Sequence, residues 1–208
     1  DSLAEAFHAL SRFNSVLLDF CRDMWEYISR SYLRQRTVAG EVGSSTMPHK
    51  VNPIDFENAE ANAGISSALL EHLASKLMVS RMQRDLSDSS AIRNMGTAVG
   101  HSGLAIGAAR RGLSKVSPAP EVMAAELDRQ WEVLAEPIQT VMRRYALPEP
   151  YERLKELTRG QAITEDDVRR FVAGLGLPAD AEKRLLELTP GGYTGLAAAL
   201  VELSRPED

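Results

Sequence analysis

The chain has 208 residues, a formal net charge of -5 and a single cysteine, Cys21. This near balance of charge excludes a broad basic footprint for nucleic acid. A lone cysteine excludes an internal disulfide and suits a reducing cytoplasm. No apolar run is long enough to cross a bilayer and no signal peptide is visible, so neither a membrane nor a nucleic acid is an expected partner. The length suits one or two compact domains.

From Leu3, apolar residues recur at Phe7, Leu10, Phe13, Leu17, Phe20, Met24 and Ile28. Three-and-four spacing of this kind predicts a long amphipathic helix, running to about Arg34. His8 and Cys21 fall inside the pattern and are expected to be packing residues. A polar stretch from Gly43 follows, with Pro48 and Pro53 each disfavouring helix in the residue before it. Asn52 is expected to cap a second helix that starts at Pro53 and runs to about Ser80. Its first half is rich in small residues (Ala59, Ala61, Ala63, Gly64, Ala68) and its second half carries Leu69, Leu70, Leu73 and Leu77. His72 on this helix is expected at a helix contact.

Arg81 to Ser90 reads as a polar break. A third helix is predicted from Asp88 to about Lys115, and Gly96, Gly100, Gly103 and Gly107 within it suggest very close packing against neighbours. His101 on that helix reads as structural. Ser117-Pro118-Ala119-Pro120 reads as a turn. A fourth helix is predicted from Glu121 to Arg144, kinked at Pro137. Leu147-Pro148-Glu149-Pro150 is the best linker, which divides the chain into residues 1–147, a bundle of long helices, and residues 148–208, a small helical domain. In the second part, Thr164 with Asp167 three residues on has the form of a capping box. Gly174, Gly176 and Pro178 stop that helix, and further helices are predicted over residues 180–188 and 193–204. No segment reads as a strand, so the fold class is all-α: an elongated helical bundle followed by a small all-helical domain. The four histidines show no paired ligand spacing and no metal site is expected. No phosphate-binding glycine loop is present.

The polar stretch concentrates chemistry. It reads Gly43-Ser-Ser-Thr-Met-Pro-His-Lys-Val-Asn-Pro-Ile-Asp-Phe-Glu57, and a loop that only joined two helices would not need two hydroxyls, an ammonium and an amide there. Ser44, Ser45, Met47, Pro48, Lys50 and Asn52 match, position for position, the signature Ser-Ser-x-Met-Pro-x-Lys-x-Asn, and the chain therefore resembles the fumarase/aspartase superfamily. His49 and the run Asn52 to Asn58 narrow the resemblance to the adenylosuccinate lyase family. It continues through Arg81-Met-Gln-Arg-Asp85, Trp131 to Gln139 and Leu188-Thr189-Pro190, and so spans nearly the whole chain. Members of this family are longer on the N-terminal side. The chain opens directly into a helical pattern without a methionine, and the expectation is a C-terminal portion of such an enzyme.

The resemblance implies an elongated fumarase/aspartase-like bundle, a β-elimination that releases fumarate, no cofactor, and a homotetramer whose active sites draw on several subunits. The implied substrates are adenylosuccinate, which gives AMP, and the succinylated carboxamide ribonucleotide SAICAR. Ser44 matches the general base, an assignment that requires its hydroxyl to be activated by its surroundings. Ser45 neighbours it in the substrate site. Lys50 and Asn52 are placed to hold the succinyl carboxylates, Glu57 matches an active-site carboxylate that orients a partner, and Asn58 a substrate contact. Arg84, Ser89 and Arg93 form a second constellation, two guanidiniums around a hydroxyl at a helix start, suited to the nucleotide phosphate. Arg81 supports it or pairs with an acidic neighbour, and Asp85 and Asp88 are expected to fix the arginines. In the family the general acid is a histidine from the N-terminal portion, and none of the four histidines here corresponds to it. The isolated chain is therefore expected to lack a complete site. Without the signature, two serines read as a solvated turn, Lys50 as a surface lysine, and the arginines as surface ion-pair partners. Alternatives are another fumarate-releasing lyase of the superfamily, or a non-catalytic helical assembly module.

Overall fold

The computed structural model describes residues 1–36, 52–158 and 163–205. Two compact units divide between Ala119 and Pro120.

In the first unit, α1 (Ser2–Ser29) presents Ala4, Phe7, Ser11, Asn14, Cys21 and Met24 as its buried face. That face packs along α2 (Ile54–Leu77), and α2 packs in turn along α4 (Met95–Ser114). One apolar cluster joins Ala4 and Phe7 to Leu70, Leu73, Ala74 and Ala98. A second joins Cys21 and Met24 to Phe56, Ala59, Ala108 and Ala109. Burial raises the Cys21 thiol to about 11, with Glu60 adding to the effect, so this side chain stays a protonated packing group. His8, in contrast, is exposed, and so is His72.

Between the clusters lies a buried polar ring. Asn14 Nδ2 donates to Ser66 Oγ (3.0 Å), Ser66 Oγ lies 2.9 Å from Ser102 Oγ, and Ser102 Oγ donates to Asn14 Oδ1 (2.8 Å). The three side chains tie three helices together, and the single Ser66 proton goes either to Ser102 Oγ, which closes the ring, or to Ala98 O. Ala98 O, 2.7 Å from Ser66 Oγ, is a second acceptor for that hydroxyl.

The structure departs from the sequence reading in several places, each with a local cause. Helix α1 stops at Ser29, short of Arg34. Ser31 takes φ 63, and the chain then enters a strand, β1 (Leu33–Gln35), which pairs antiparallel with β2 (Val116–Pro118). A two-stranded ribbon therefore exists where no strand was expected and where Ser117 to Pro120 read as a turn. Three-residue strands carry too little periodicity to be seen in sequence. The predicted third helix is two, α3 (Ser87–Ile92) and α4, separated by Arg93 and Asn94. Alanines, not the glycines, make the close approach of α4. Ala98, Ala105, Ala108 and Ala109 are buried, whereas a Cβ placed on Gly96, Gly100 or Gly103 would meet nothing within 4 Å. The glycine that is tightly packed is Gly112, where a Cβ would fall 2.7 Å from the Phe56 ring.

The second unit comprises α5 (Pro120–Leu127), a 3-10 turn (Trp131–Leu134), α6 (Ala135–Arg144), α7 (Pro150–Thr158), α8 (Glu165–Ala173), α9 (Ala179–Leu186) and α10 (Ala197–Leu203). The predicted helix from Glu121 to Arg144 is thus broken before Trp131, and Pro137 causes no kink. It is the third residue of α6, where a missing N–H leaves no intrahelical bond unmade. The capping box forms as expected: Thr164 accepts from Asp167 N, and Asp167 accepts from Thr164 N. The core gathers Leu134, Ile138 and Met142 with Leu154, Ile163, Val168, Val172 and Leu185. The division read at 147/148 thus falls inside this unit. The apolar face of α6 needs α7 to α9 to cover it, and the prolines around Leu147 mark a turn in a shared core.

Candidate functional site

The signature residues Ser44, Ser45, His49 and Lys50 lie outside the described residues. The structure describes the residues on either side of that segment. On the leading side, β1 is fixed by its pairing with β2, and Arg36 N donates to Lys115 O (2.7 Å). On the trailing side, Asp55 is buried in the first turn of α2. It accepts from Lys115 Nζ (2.6 Å) and Arg111 Nε (3.3 Å), both from the end of α4. A carboxylate in the first helical turn also interacts favourably with the helix dipole. Phe56, 1% exposed, plugs the core beside it. The two sides are joined directly, because Gln35 Nε2 donates to Asn52 O (3.1 Å). Among the described residues Gln35 Oε1 is buried without a hydrogen-bond partner.

Asn52 is not the helix cap. Pro53 holds the N-cap position of α2 with φ -78 and ψ 54, and no side chain caps the helix there. The side chain of Asn52 is therefore not committed to capping. Glu57, in the first turn, is exposed, and its Oε1 accepts from Trp25 Nε1 on α1 (3.1 Å). The pair lines a groove between α1 and α2 with Arg22, Asp23, Glu26 and Glu60, and Arg22 pairs with Glu60 at 2.8 Å. Asn58, one residue on, is exposed. Its Oδ1 accepts from Asn62 Nδ2 (3.1 Å), which also reaches Asn58 O (2.9 Å), and Asn62 Oδ1 lies 2.7 Å from His101 Nδ1 on α4.

The basic segment is arranged differently from expectation. Arg81 pairs with Asp85 (3.0 Å), but Asp85 and Asp88 otherwise take Lys76 Nζ, at 3.5 and 2.8 Å, and not Arg84 or Arg93. The Ser87 hydroxyl and backbone N–H, then Lys76 and Arg81, hold the Asp85 carboxyl down to about 2. Burial opposes them, by more than either cation alone contributes. The acids thus pin the turn between α2 and α3 to the end of α2, while Arg84 and Arg93 are exposed and form no ion pair among the described residues. Ser89 donates to Leu86 O (2.9 Å), and Arg93, four residues on, is the C-cap residue that follows α3. No cluster of metal-ligating side chains occurs among the described residues.

Sequence reasoning missed Gln35, Trp25, Asn62, Arg111 and Lys115. Only Asn62 carried a signal, its i,i+4 spacing from Asn58. The others act through contacts between segments far apart in sequence.

The long helices of the first unit bring the last residue of the signature, Asn52, to the head of α2. Residues 1–65 match a family model described as lyase. A solved 3-carboxy-cis,cis-muconate lactonizing enzyme from Pseudomonas putida has the same fold, with a TM-score of 0.68 at 24% identity over 98% of this chain and 47% of that one. Residues 80–194 match the model described as adenylosuccinate lyase C-terminal, and the chain belongs to that family. It is 54% identical over 202 residues to adenylosuccinate lyase of Vibrio cholerae and 52% identical to that of Escherichia coli, in each case over 97% of this chain and 44% of the relative. The Dictyostelium discoideum enzyme is 50% identical over 199 residues. The chain therefore spans less than half the length of these relatives.

Proposed function

We propose that this chain is the C-terminal part of an enzyme that cleaves adenylosuccinate to AMP and fumarate, and SAICAR to its carboxamide product, in purine biosynthesis. The observation that carries the reading is the complete signature from Ser44 to Asn52 in a chain about half identical to adenylosuccinate lyases along nearly its whole length.

The reaction removes a proton from the carbon next to a carboxylate. The electron pair delocalises into that carboxylate, and the carbon–nitrogen bond breaks as the nitrogen is protonated. Ser44 takes the proton. Lys50 and the Asn52 amide hold the succinyl carboxylates and stabilise the doubly charged intermediate. Ser45 and Asn58 donate to substrate oxygens. Glu57 orients a partner in the site, and its contact with Trp25 fixes its rotamer toward α1. Arg84, Ser89 and Arg93 hold the phosphate; that the two arginines are not consumed by Asp85 and Asp88 supports this role. The acid that protonates nitrogen comes from outside this chain.

The reading includes a homotetramer, in a reducing cytoplasm. Its support here is the uncovered face of α4, where Gly96, Gly100 and Gly103 are open and Val99 and Leu104 are 48% and 60% exposed. Among the described residues no helix is long and apolar enough to cross a membrane.

The phosphate assignment is tested by comparing adenylosuccinate with its dephosphorylated nucleoside on the full-length protein. Loss of charge-assisted hydrogen bonds should lower kcat/KM by at least about tenfold for the nucleoside. Equal values would refute the phosphate site.

A further inference from the structure

We infer that Asn62 and His101 are positioning residues that fix which end of the Asn58 amide faces the substrate. The inference rests on the reading of Asn58 as a substrate contact and extends it to residues that do not touch substrate.

A primary amide has a donor end and an acceptor end of nearly the same shape, so an exposed asparagine can present either. In this structure the choice is made by a chain of three side chains. Asn58 Oδ1 accepts from Asn62 Nδ2 at 3.1 Å, so the oxygen of Asn58 is turned inward and occupied. Asn62 is held in that sense twice. Its Nδ2 also donates to Asn58 O at 2.9 Å, and its Oδ1 lies 2.7 Å from His101 Nδ1. Since Asn62 Oδ1 can only accept, His101 Nδ1 must carry the proton. Turning the Asn62 amide over would set its oxygen against the Asn58 carbonyl, which can only accept, so the Asn58 backbone fixes the sense of Asn62 and His101 Nδ1–H reinforces it. The relay therefore leaves the Asn58 NH2 as the end free to face outward, and Asn58 offers donors alone.

A donor-only amide suits an anionic or carbonyl oxygen, the atom type a succinyl carboxylate supplies. It also discriminates against a ligand that brings an N–H to the same point. Asn58 and Asn62 lie on α2 and His101 lies half-buried on α4. The orientation is thus set by the packing of two helices and not by substrate binding. Orienting the donor before substrate arrives removes a reorganisation cost from binding.

The test uses the full-length enzyme and its steady-state kinetics with adenylosuccinate. Asn58→Ala establishes whether Asn58 contributes, with an expected loss of about tenfold or more in kcat/KM. His101→Leu removes the Nδ1–H and should lower kcat/KM by about threefold to tenfold, since Asn62 Oδ1 then lacks its donor and only the bond to Asn58 O holds Asn62, so the Asn58 amide is held less firmly in one sense. His101→Asn should restore most of that loss, because asparagine places its Nδ2 where imidazole has Nδ1. In the Asn58→Ala background, His101→Leu should have no further effect on kcat/KM. Thermal unfolding of each variant separates these effects from loss of fold. If Asn58→Ala impairs the enzyme but His101→Leu is silent, or if His101→Leu costs the same with and without Asn58, the relay is overturned while the substrate contact stands. A silent Asn58→Ala overturns the substrate contact itself, and the relay with it.

Discussion

Replacing Ser66 by alanine should destabilise the first unit by an amount that depends on whether Asn14 is present. Ser66 Oγ sits at the crossing of α1, α2 and α4, 0% exposed, with Asn14 Nδ2 at 3.0 Å, Ser102 Oγ at 2.9 Å and Ala98 O at 2.7 Å. In Ser66→Ala the Asn14 N–H loses its acceptor in a site that is also 0% exposed. Leaving such a donor unpaired costs about 1–3 kcal/mol. Ala98 O loses little, since it remains in the ladder of α4, and Ser102 keeps Asn14 Oδ1. In Asn14→Leu there is no amide to orphan, so adding Ser66→Ala should then cost less than about 1 kcal/mol, the value of a methyl-for-hydroxyl exchange. The expected coupling between the two sites is therefore about 1–2 kcal/mol. Urea unfolding measures it, with Trp131→Phe in all variants so that Trp25 on α1 reports the first unit alone. Equal costs of Ser66→Ala in both backgrounds, within about 0.5 kcal/mol, would show that Asn14 and Ser66 are not coupled as described.

Three further outcomes are expected. In the full-length enzyme, Ser44→Ala should cut kcat by about a hundredfold or more with little change in substrate binding, and Ser45→Ala should do less; the reverse order would put the base at the wrong serine. The Asp85 carboxyl should titrate near 2 by NMR, and Ser87→Ala should bring it toward the usual carboxylate range of about 3.9. Because its folded value is depressed, Asp85 stabilises the turn between α2 and α3 at pH values above the unfolded one, and that contribution disappears as pH falls from about 4 to 2; a titration near 4 in the parent protein would refute the contact. The 208-residue chain should self-associate by light scattering, and Leu104→Glu on the open face of α4 should dissociate it; a parent chain that is monomeric at micromolar concentration would show that other parts of the protein carry assembly.

The all-α class and the capping box of α8 were legible because each is written in local spacing, and Thr164 and Asp167 are three residues apart. Helix α1 was legible as a helix but its buried face only in part, since Phe7 and Met24 of the predicted stripe are buried while Phe13 is 47% exposed and the buried Ser11 and Asn14 were not in it. The strands were not legible, since β1 and β2 exist by pairing across 80 residues of chain and contain three residues each. The glycines of α4 misled because spacing reports a stripe but not which side faces the core, and here the alanines do. The same limit applies to the site. The signature from Ser44 to Asn52 names its own chemistry in sequence, but nothing in Gln35, Lys115 or His101 announces that it would meet Asn52, Asp55 or Asn62. Asp85 and Asp88 looked like partners for the arginines beside them; Arg81 does pair with Asp85, but Arg84 and Arg93 do not pair with either, and the fold adds Lys76 from the end of α2.

The most direct measurement is fumarate release by the purified full-length protein, offered adenylosuccinate, argininosuccinate and aspartate in parallel. Turnover of adenylosuccinate, with formation of AMP in equal amount and negligible release from the other two, is the predicted result. Release from argininosuccinate or aspartate without cleavage of adenylosuccinate would contradict it.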